Sequence, residues 1–157
     1  MDDLEVMKSE VSLYFQKRFR EEWTGRPKIG GIFEVQIGRE SAVGLEREFF
    51  EAEIWEAIKY CDGNKSPGLD GFNLIFFKKC WKILKEDIMV FFKEFQDNGK
   101  LLKEINSSFI VLIPKSENPD GLCDFQPISL VGSVYKILSK VLASRVKKIL
   151  PSLIGDI

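Results

Sequence analysis

One short segment sets the fold class of this chain. Ser108-Phe109-Ile110-Val111-Leu112-Ile113 is an unbroken apolar run, largely β-branched, and Pro114 stops it. Such a run reads as a strand covered on both faces. On either side of it, apolar residues recur in steps of three and four, the period of an amphipathic helix. A second strand is expected over Pro127-Ile128-Ser129-Leu130, with Pro127 at its first position or on an edge. The polar segment between the two runs makes a loop of about a dozen residues, longer than most hairpin loops and often functional at that length. The period change therefore predicts an α+β chain, mainly helical, with a small antiparallel hairpin.

The helical segments have readable ends. Leu4, Met7, Val11, Phe15, Phe19 and Trp23 mark a helix over residues 2–23, and Thr24 to Gly31 then reads as a linker. Residues 41–61 read as two short helices, the first capped by Ser41, the second carrying Ile54, Ile58 and Cys61 on one side with Trp55 beside them. Lys65-Ser66-Pro67-Gly68-Leu69-Asp70-Gly71 is turn chemistry throughout. Asn73 is placed to cap a long helix through Phe77, Trp81, Leu84, Ile88, Phe92 and Phe95, with a break near Glu86 and an end at Asn98-Gly99. Ser133 is the expected cap of the last helix, whose stripe is Val134, Ile137, Val141 and Ile149, widened by Leu138, Leu142, Val146 and Leu150, and which Pro151 should end. Residues 1–40 read as a helical leader and linker, and 41–157 as the main domain. With 157 residues, 45% of them hydrophobic and 12% aromatic, the chain can bury a sizeable core and is not of disordered composition. No apolar run approaches the roughly 20 residues that span a bilayer. The acidic start, Met1-Asp2-Asp3-Leu4, does not look like a secretory leader, so no membrane partner is expected.

Charge is unevenly spread. Residues 1–60 hold 13 acidic and 9 basic side chains, and residues 61–157 hold 11 and 14. Between Asp124 and Asp156 there is no acid, while Lys136, Lys140, Arg145, Lys147 and Lys148 all fall there. On a wheel turning about 100° per residue, Lys136, Lys140 and Lys147 lie off the apolar stripe and Arg145 lies at its edge. A one-signed helix face is either an ordinary solvated surface or a face that meets an anion. The chain has no histidine, and its cysteines, Cys61, Cys80 and Cys123, are far apart. Histidine bases, triads and a structural zinc site are thereby excluded, and reduced, mostly buried thiols are expected.

Four segments carry a family resemblance. Asn64-Lys65-Ser66-Pro67-Gly68-Leu69-Asp70-Gly71-Phe72 is close to a K-[SA]-P-G-P-D-G-F motif. Phe109-Ile110-Val111-Leu112-Ile113-Pro114-Lys115 is like I-x-L-I-P-K. Asp124-Phe125-Gln126-Pro127-Ile128-Ser129-Leu130 is like D/N-F-R-P-I-S-L. Tyr135 to Arg145 is like Y-K-I-[IL]-x-K-[VI]-L-x-x-R. In this order and spacing they resemble the reverse transcriptases of LINE-type non-LTR retrotransposons, particularly the plant forms. The segments Phe15-Gln16-Lys17-Arg18-Phe19, Arg26-Pro27 and Leu45-Glu46 resemble the linker before the polymerase in such elements.

The resemblance implies part of a right-hand polymerase, the fingers and the edge of the palm, in an RNA-directed DNA polymerase. The complete enzyme would take an RNA template, a DNA primer and deoxynucleotide triphosphates, with Mg2+ as cofactor. Two-metal nucleotidyl transfer needs closely spaced carboxylates. In the family these sit in later motifs, and the sole Asp-Asp pair here is Asp2-Asp3 in the leader. The expectation is thus a fragment with no catalytic or metal-binding residues of its own, inactive alone, and acting, if anywhere, inside the cell, in nucleus or cytoplasm. Asp70 and Asp124 read as structural. By resemblance Lys115 would reach the nucleotide triphosphate, and Gln126 stands where the family has arginine. Lys65, Ser66 and Gly68 would face the template, and Lys136, Lys140, Arg145, Lys147 and Lys148 would line a nucleic-acid backbone. A palm-facing surface left open would favour self-association. The other readings are a non-catalytic nucleic-acid-binding module and a structural remnant of a decayed element. Most aromatics fall on helical stripes and read as core, whereas for Phe72 and Phe125, in loop motifs, core packing and base stacking stay equally open.

Overall fold

A computed structural model of the chain describes residues 2–20, 22, 25 and 37–154. The elements follow in the order α1 (Asp2–Phe19), α2 (Arg39–Glu46), α3 (Glu51–Tyr60), α4 (Leu74–Lys79), α5 (Trp81–Asn98), β1 (Ser108–Pro114), a 3-10 turn (Leu122–Asp124), β2 (Phe125–Val131) and α6 (Ser133–Ile154). The two strands form one antiparallel hairpin. The α+β class read from the periodicity is the observed one. Two compact units result: residues 1–33 with 112–127, and residues 34–111 with 128–157.

The core of the second unit is built by the helical stripes. Ile54 and Ile58 of α3, Phe92 of α5, and Ile137 and Val141 of α6 are almost completely buried, with Leu74, Phe77, Trp81, Ile88 and Leu138 around them. Each such side chain contributes about 1.5–3 kcal/mol on burial. Trp55 stacks on Trp81 with centroids 5.2 Å apart. Trp55, Phe77, Trp81 and Phe92 are packing residues, whereas Tyr60 at the end of α3 is exposed.

Several ends differ from the sequence expectation. Ser41 lies inside α2, whose N-cap is Gly38 and lacks a side-chain cap bond. The long helix breaks at Cys80 rather than near Glu86. Asn73 does cap α4, its side-chain oxygen accepting from Phe76 N at 3.2 Å. Gly99 ends α5 in the left-handed region, at φ 63°. Pro151 lies within α6, which runs on to Ile154. Ser133 is the first residue of α6, and its hydroxyl donates to Phe72 O at 2.6 Å instead of accepting a helix N–H. Trp23 and most of the linker from Thr24 to Gly31 lie outside the described residues. Along α1, Phe15 is buried, but Leu4, Met7 and Phe19 of the same stripe are exposed.

The hairpin departs most. The strand read as covered on both faces is open: Phe109, Ile110, Val111 and Ile113 are all exposed, and Leu112 is half-buried. Pro127 is the third residue of β2, tolerated because each strand of a two-stranded sheet is an edge. No described helix is long and apolar enough to cross a membrane. Cys61 and Cys80 are half-buried, whereas Cys123 is exposed.

Candidate nucleic-acid interface

The turn at residues 66–71 is docked on the start of α6. Gly71, at φ 69°, and the Gly71 N–H bond to Gly68 O close the turn. Gly68 is there because nothing larger fits: a Cβ would sit 2.5 Å from both Val131 O and Gly132 N. The carboxylate of Asp70 accepts the Ser133 backbone N–H, serving one of the unpaired donors that begin every helix. Its other oxygen lies 3.4 Å from Phe72 N. Lys136, one turn further along α6, donates to Ser66 O at 2.9 Å. Lys65 stands exposed beside Asp62, 3.9 Å away. Segments more than sixty residues apart are thereby joined at one place.

The basic residues divide. Lys140, Lys147 and Lys148 are exposed on α6 and Lys136 is half-buried. Lys78 of α4 joins them, unforeseen from the sequence. It donates to Cys61 O at 2.7 Å and Lys59 O at 3.0 Å, closing the C-terminal end of α3. Burial pushes the Cys61 thiol above its ordinary value, and the charges of Lys140, Lys78 and Lys136 oppose this. The signal available in the sequence was only a basic residue in the last turn of a short helix.

Arg145 does not belong with the exposed lysines. It is 5% exposed, and all five of its N–H donors are used. Nε and one Nη2 hydrogen meet the Glu53 carboxylate at 3.1 and 2.6 Å. Nη1 donates to Leu45 O and Arg47 O at 2.9 and 2.7 Å, and Nη2 to Glu48 O at 2.9 Å. The guanidinium also lies 4.1 Å from the Phe49 ring centroid. A side chain with no free donor cannot bind phosphate, so its expected backbone contact is corrected to a clamp holding the end of α2 and the start of α3. Burial pushes the Glu53 carboxyl up, but hydrogen bonds from Arg145 and from Phe50 N–H, with the charges of Arg145 and Arg47, hold it below the usual carboxylate range.

Lys115 and Gln126 belong to the first unit. Lys115 follows β1; its amine donates to Cys123 O at 2.8 Å and its N–H to Asp124 O, also at 2.8 Å. Asp124 accepts from Gly121 N and Asp120 N, both at 3.1 Å, and these bonds hold its carboxyl below the ordinary range. The hairpin loop is thus tied across its base with the Lys115 side chain exposed. Gln126 is also exposed, the outward neighbour of half-buried Phe125 and Pro127.

The described residues do not fit a two-metal site. Asp70 and Asp124 are committed to backbone N–H groups, and no described group of three or more acidic or cysteine side chains is placed to hold a metal ion.

No family model matches the chain. It is 26% identical over 164 residues to the transposon TX1 uncharacterized 149 kDa protein of Xenopus laevis. The match covers 98% of this chain and 12% of that protein. The similarity relates the chain to a transposon-encoded protein, of which it spans a small part.

Proposed function

We propose that this chain is the template- and nucleotide-positioning part of a LINE-type reverse transcriptase. The observation that supports this reading most is the convergence at the start of α6. Through Gly68 and Asp70 the turn motif around Ser66 to Phe72 meets Val131, Gly132 and Ser133, which link the motif ending at Leu130 to the motif beginning at Tyr135, and Lys136 of that last motif bonds Ser66 O. The relation to a transposon-encoded protein agrees with it. The division of labour is electrostatic. Lys115 meets the triphosphate of a deoxynucleotide, exchanging its carbonyl partner for a more highly charged one. Lys136, Lys140, Lys147 and Lys148 follow the phosphates of the RNA template and DNA primer, contacts that position without reading sequence. Metal-dependent chemistry lies with carboxylates other than Asp70 and Asp124.

The exposed lysines on α6 equally favour a simpler module that binds nucleic acid without assisting synthesis. Fluorescence anisotropy with an RNA–DNA hybrid tests the shared element. Affinity should fall linearly on a log–log plot between about 50 and 200 mM salt as counterions are released. A flat dependence would sink both readings. In a polymerase that contains this segment, Lys115→Ala should raise the nucleotide KM, whereas the simpler module predicts no change. Magnesium-dependent primer extension by these 157 residues alone would overturn the proposed division of labour.

A further inference from the structure

Phe72 is an exposed aromatic held in a fixed frame. It is 48% exposed, although it lies beside a well-packed core. Leaving a phenylalanine open forgoes part of the about 1.5–3 kcal/mol that full burial supplies. Its backbone is nonetheless fixed: its carbonyl accepts from Ser133 Oγ at 2.6 Å, and the Asp70 carboxylate faces its N–H. The ring is supported on one side. It stacks on Phe76 with centroids 4.3 Å apart and an interplanar angle of 21°. Phe76 in turn meets the buried Phe77 edge-on at 5.7 Å. With one face covered, the exposure of Phe72 lies on its other face and its edge.

The helix that begins beside this ring carries a line of cations. Ser133, which holds Phe72, begins α6, and Lys136 is one turn beyond it. On a wheel of about 100° per residue, Lys136, Lys140 and Lys147 fall within about 40° of one another. At about 1.5 Å rise per residue, the stripe extends about 16 Å. The nearby acids are Asp70, whose carboxylate is bonded to the α6 N-terminus, and Glu104, which lines a cavity with Asp70 and Gly132.

An aromatic face followed by a line of cations matches an unpaired nucleotide followed by its phosphodiester chain. A duplex offers the phosphates but hides the faces of its bases, so a stacking platform favours an unpaired strand. We propose that Phe72 is a base-stacking residue for single-stranded nucleic acid, with the phosphates on its 5′ or 3′ side running along Lys136, Lys140 and Lys147. This deepens the nucleic-acid reading above and rests on it. Stacking of this kind tolerates any base.

Anisotropy titrations with a labelled oligothymidylate, the same strand with one unpaired run made abasic, and a blunt duplex test it at one salt concentration. Phe72→Ala should weaken binding of the single strand by about 5- to 150-fold. It should leave duplex affinity unchanged and lower the thermal midpoint only by the lost stacking on Phe76, and its effect should vanish on the abasic strand. Phe72→Trp should retain affinity and gain an emission change on addition of the strand that the parent chain lacks, which keeps the test valid should the alanine variant fold poorly. Equal affinity of parent and Phe72→Ala for the single strand overturns the inference alone, as does an equal loss for strand and duplex or a silent Phe72→Trp. Absence of binding to any of the three ligands overturns the nucleic-acid reading with it.

Discussion

At the scale of single residues, Arg145 and Gln126 matter most, the second a glutamine where the resemblance expects an arginine. Arg145 meets a carboxylate and three carbonyls with all five donors, so its removal takes the main partner from Glu53 and leaves several carbonyls unpaired in a largely buried site. Breaking a buried pair in this way costs about 3–5 kcal/mol. Arg145→Ala should therefore lower the urea midpoint sharply with an unchanged slope, and Arg145→Lys should recover little, because a point charge cannot make the planar fork of bonds. The same pair has a pH signature. The Glu53 carboxyl is held below its ordinary range when folded, so its stabilisation is complete above the unfolded carboxylate value and is lost as pH falls through the folded one. Glu53→Gln should be less stable at neutral pH, where it leaves Arg145 buried without a counter-charge, and should show a flatter loss of stability in acid. Acid titration of both chains by circular dichroism measures this. At Gln126 the argument runs the other way. A neutral amide stands exposed where the resemblance expects a guanidinium, and a charge-assisted contact to phosphate is worth on the order of 1.5–3 kcal/mol. In a polymerase carrying this segment, Gln126→Arg should lower the nucleotide KM or raise kcat, and steady-state nucleotide titration that finds neither excludes Gln126 as a weak point in nucleotide binding.

At the scale of elements, the join between the 66–71 turn and α6 is the feature on which the candidate interface depends. Its steric part is strict, since the atoms a Gly68 Cβ would meet are backbone and cannot rotate away. Overpacking costs about 1–3 kcal/mol where neighbours have room to shift. Gly68→Ala should reach at least that and should open the turn, visible as faster amide exchange at Gly71 and Ser133. Asp70→Ala, which removes the bond to the helix start and the longer contact with Phe72 N–H, should cost about 0.5–2 kcal/mol. Much of this level was legible in advance, and the part that was not has a physical reason. Asn73 and Gly99 were found because a cap acts on residues a few positions away. Asp70 is structural as read, but its partner and the role of Arg145 escaped because the partners stand 63 and 92 residues away, and periodicity carries no information at that range. Ser133 was placed at the right boundary for the wrong bond: a serine that starts a helix can give its hydroxyl proton to a neighbouring turn when a carboxylate already serves the helix N–H. Pro151 did not stop α6 because its missing N–H removes a single bond from a helix that is already near its end.

At the scale of the whole molecule, the outcome for the hairpin shows what an apolar run does and does not encode. β-branched apolar residues specify a strand; they do not supply the elements that would cover it. The stripes of α3 to α6 find one another and close a core, while β1 and β2 keep apolar side chains in water, with Phe109 53% and Ile128 41% exposed. Neither Ser108–Pro114 nor Phe125–Val131 contains a charged residue, and both strands are edges of a two-stranded sheet. Uncharged β-branched edges are the usual templates for pairing with another chain, and proteins ordinarily blunt them with lysine, proline or a covering element. Here the blunting is limited to Pro114 and Pro127. The chain should therefore associate with its own copies as concentration rises, by strand pairing along the hairpin. Because the attraction is apolar, added salt should not dissolve the assembly, which separates it from any assembly held by charge. Ile110→Lys places a charge at an exposed position, so it should alter folding stability by no more than about 0.5 kcal/mol while shifting the species toward monomer. Size-exclusion chromatography with light scattering over a concentration series reads the association, and urea denaturation of the same samples reads the stability. A parent chain that stays monomeric across the micromolar range, or an Ile110→Lys variant that associates as the parent does, rules out the hairpin as the self-association surface.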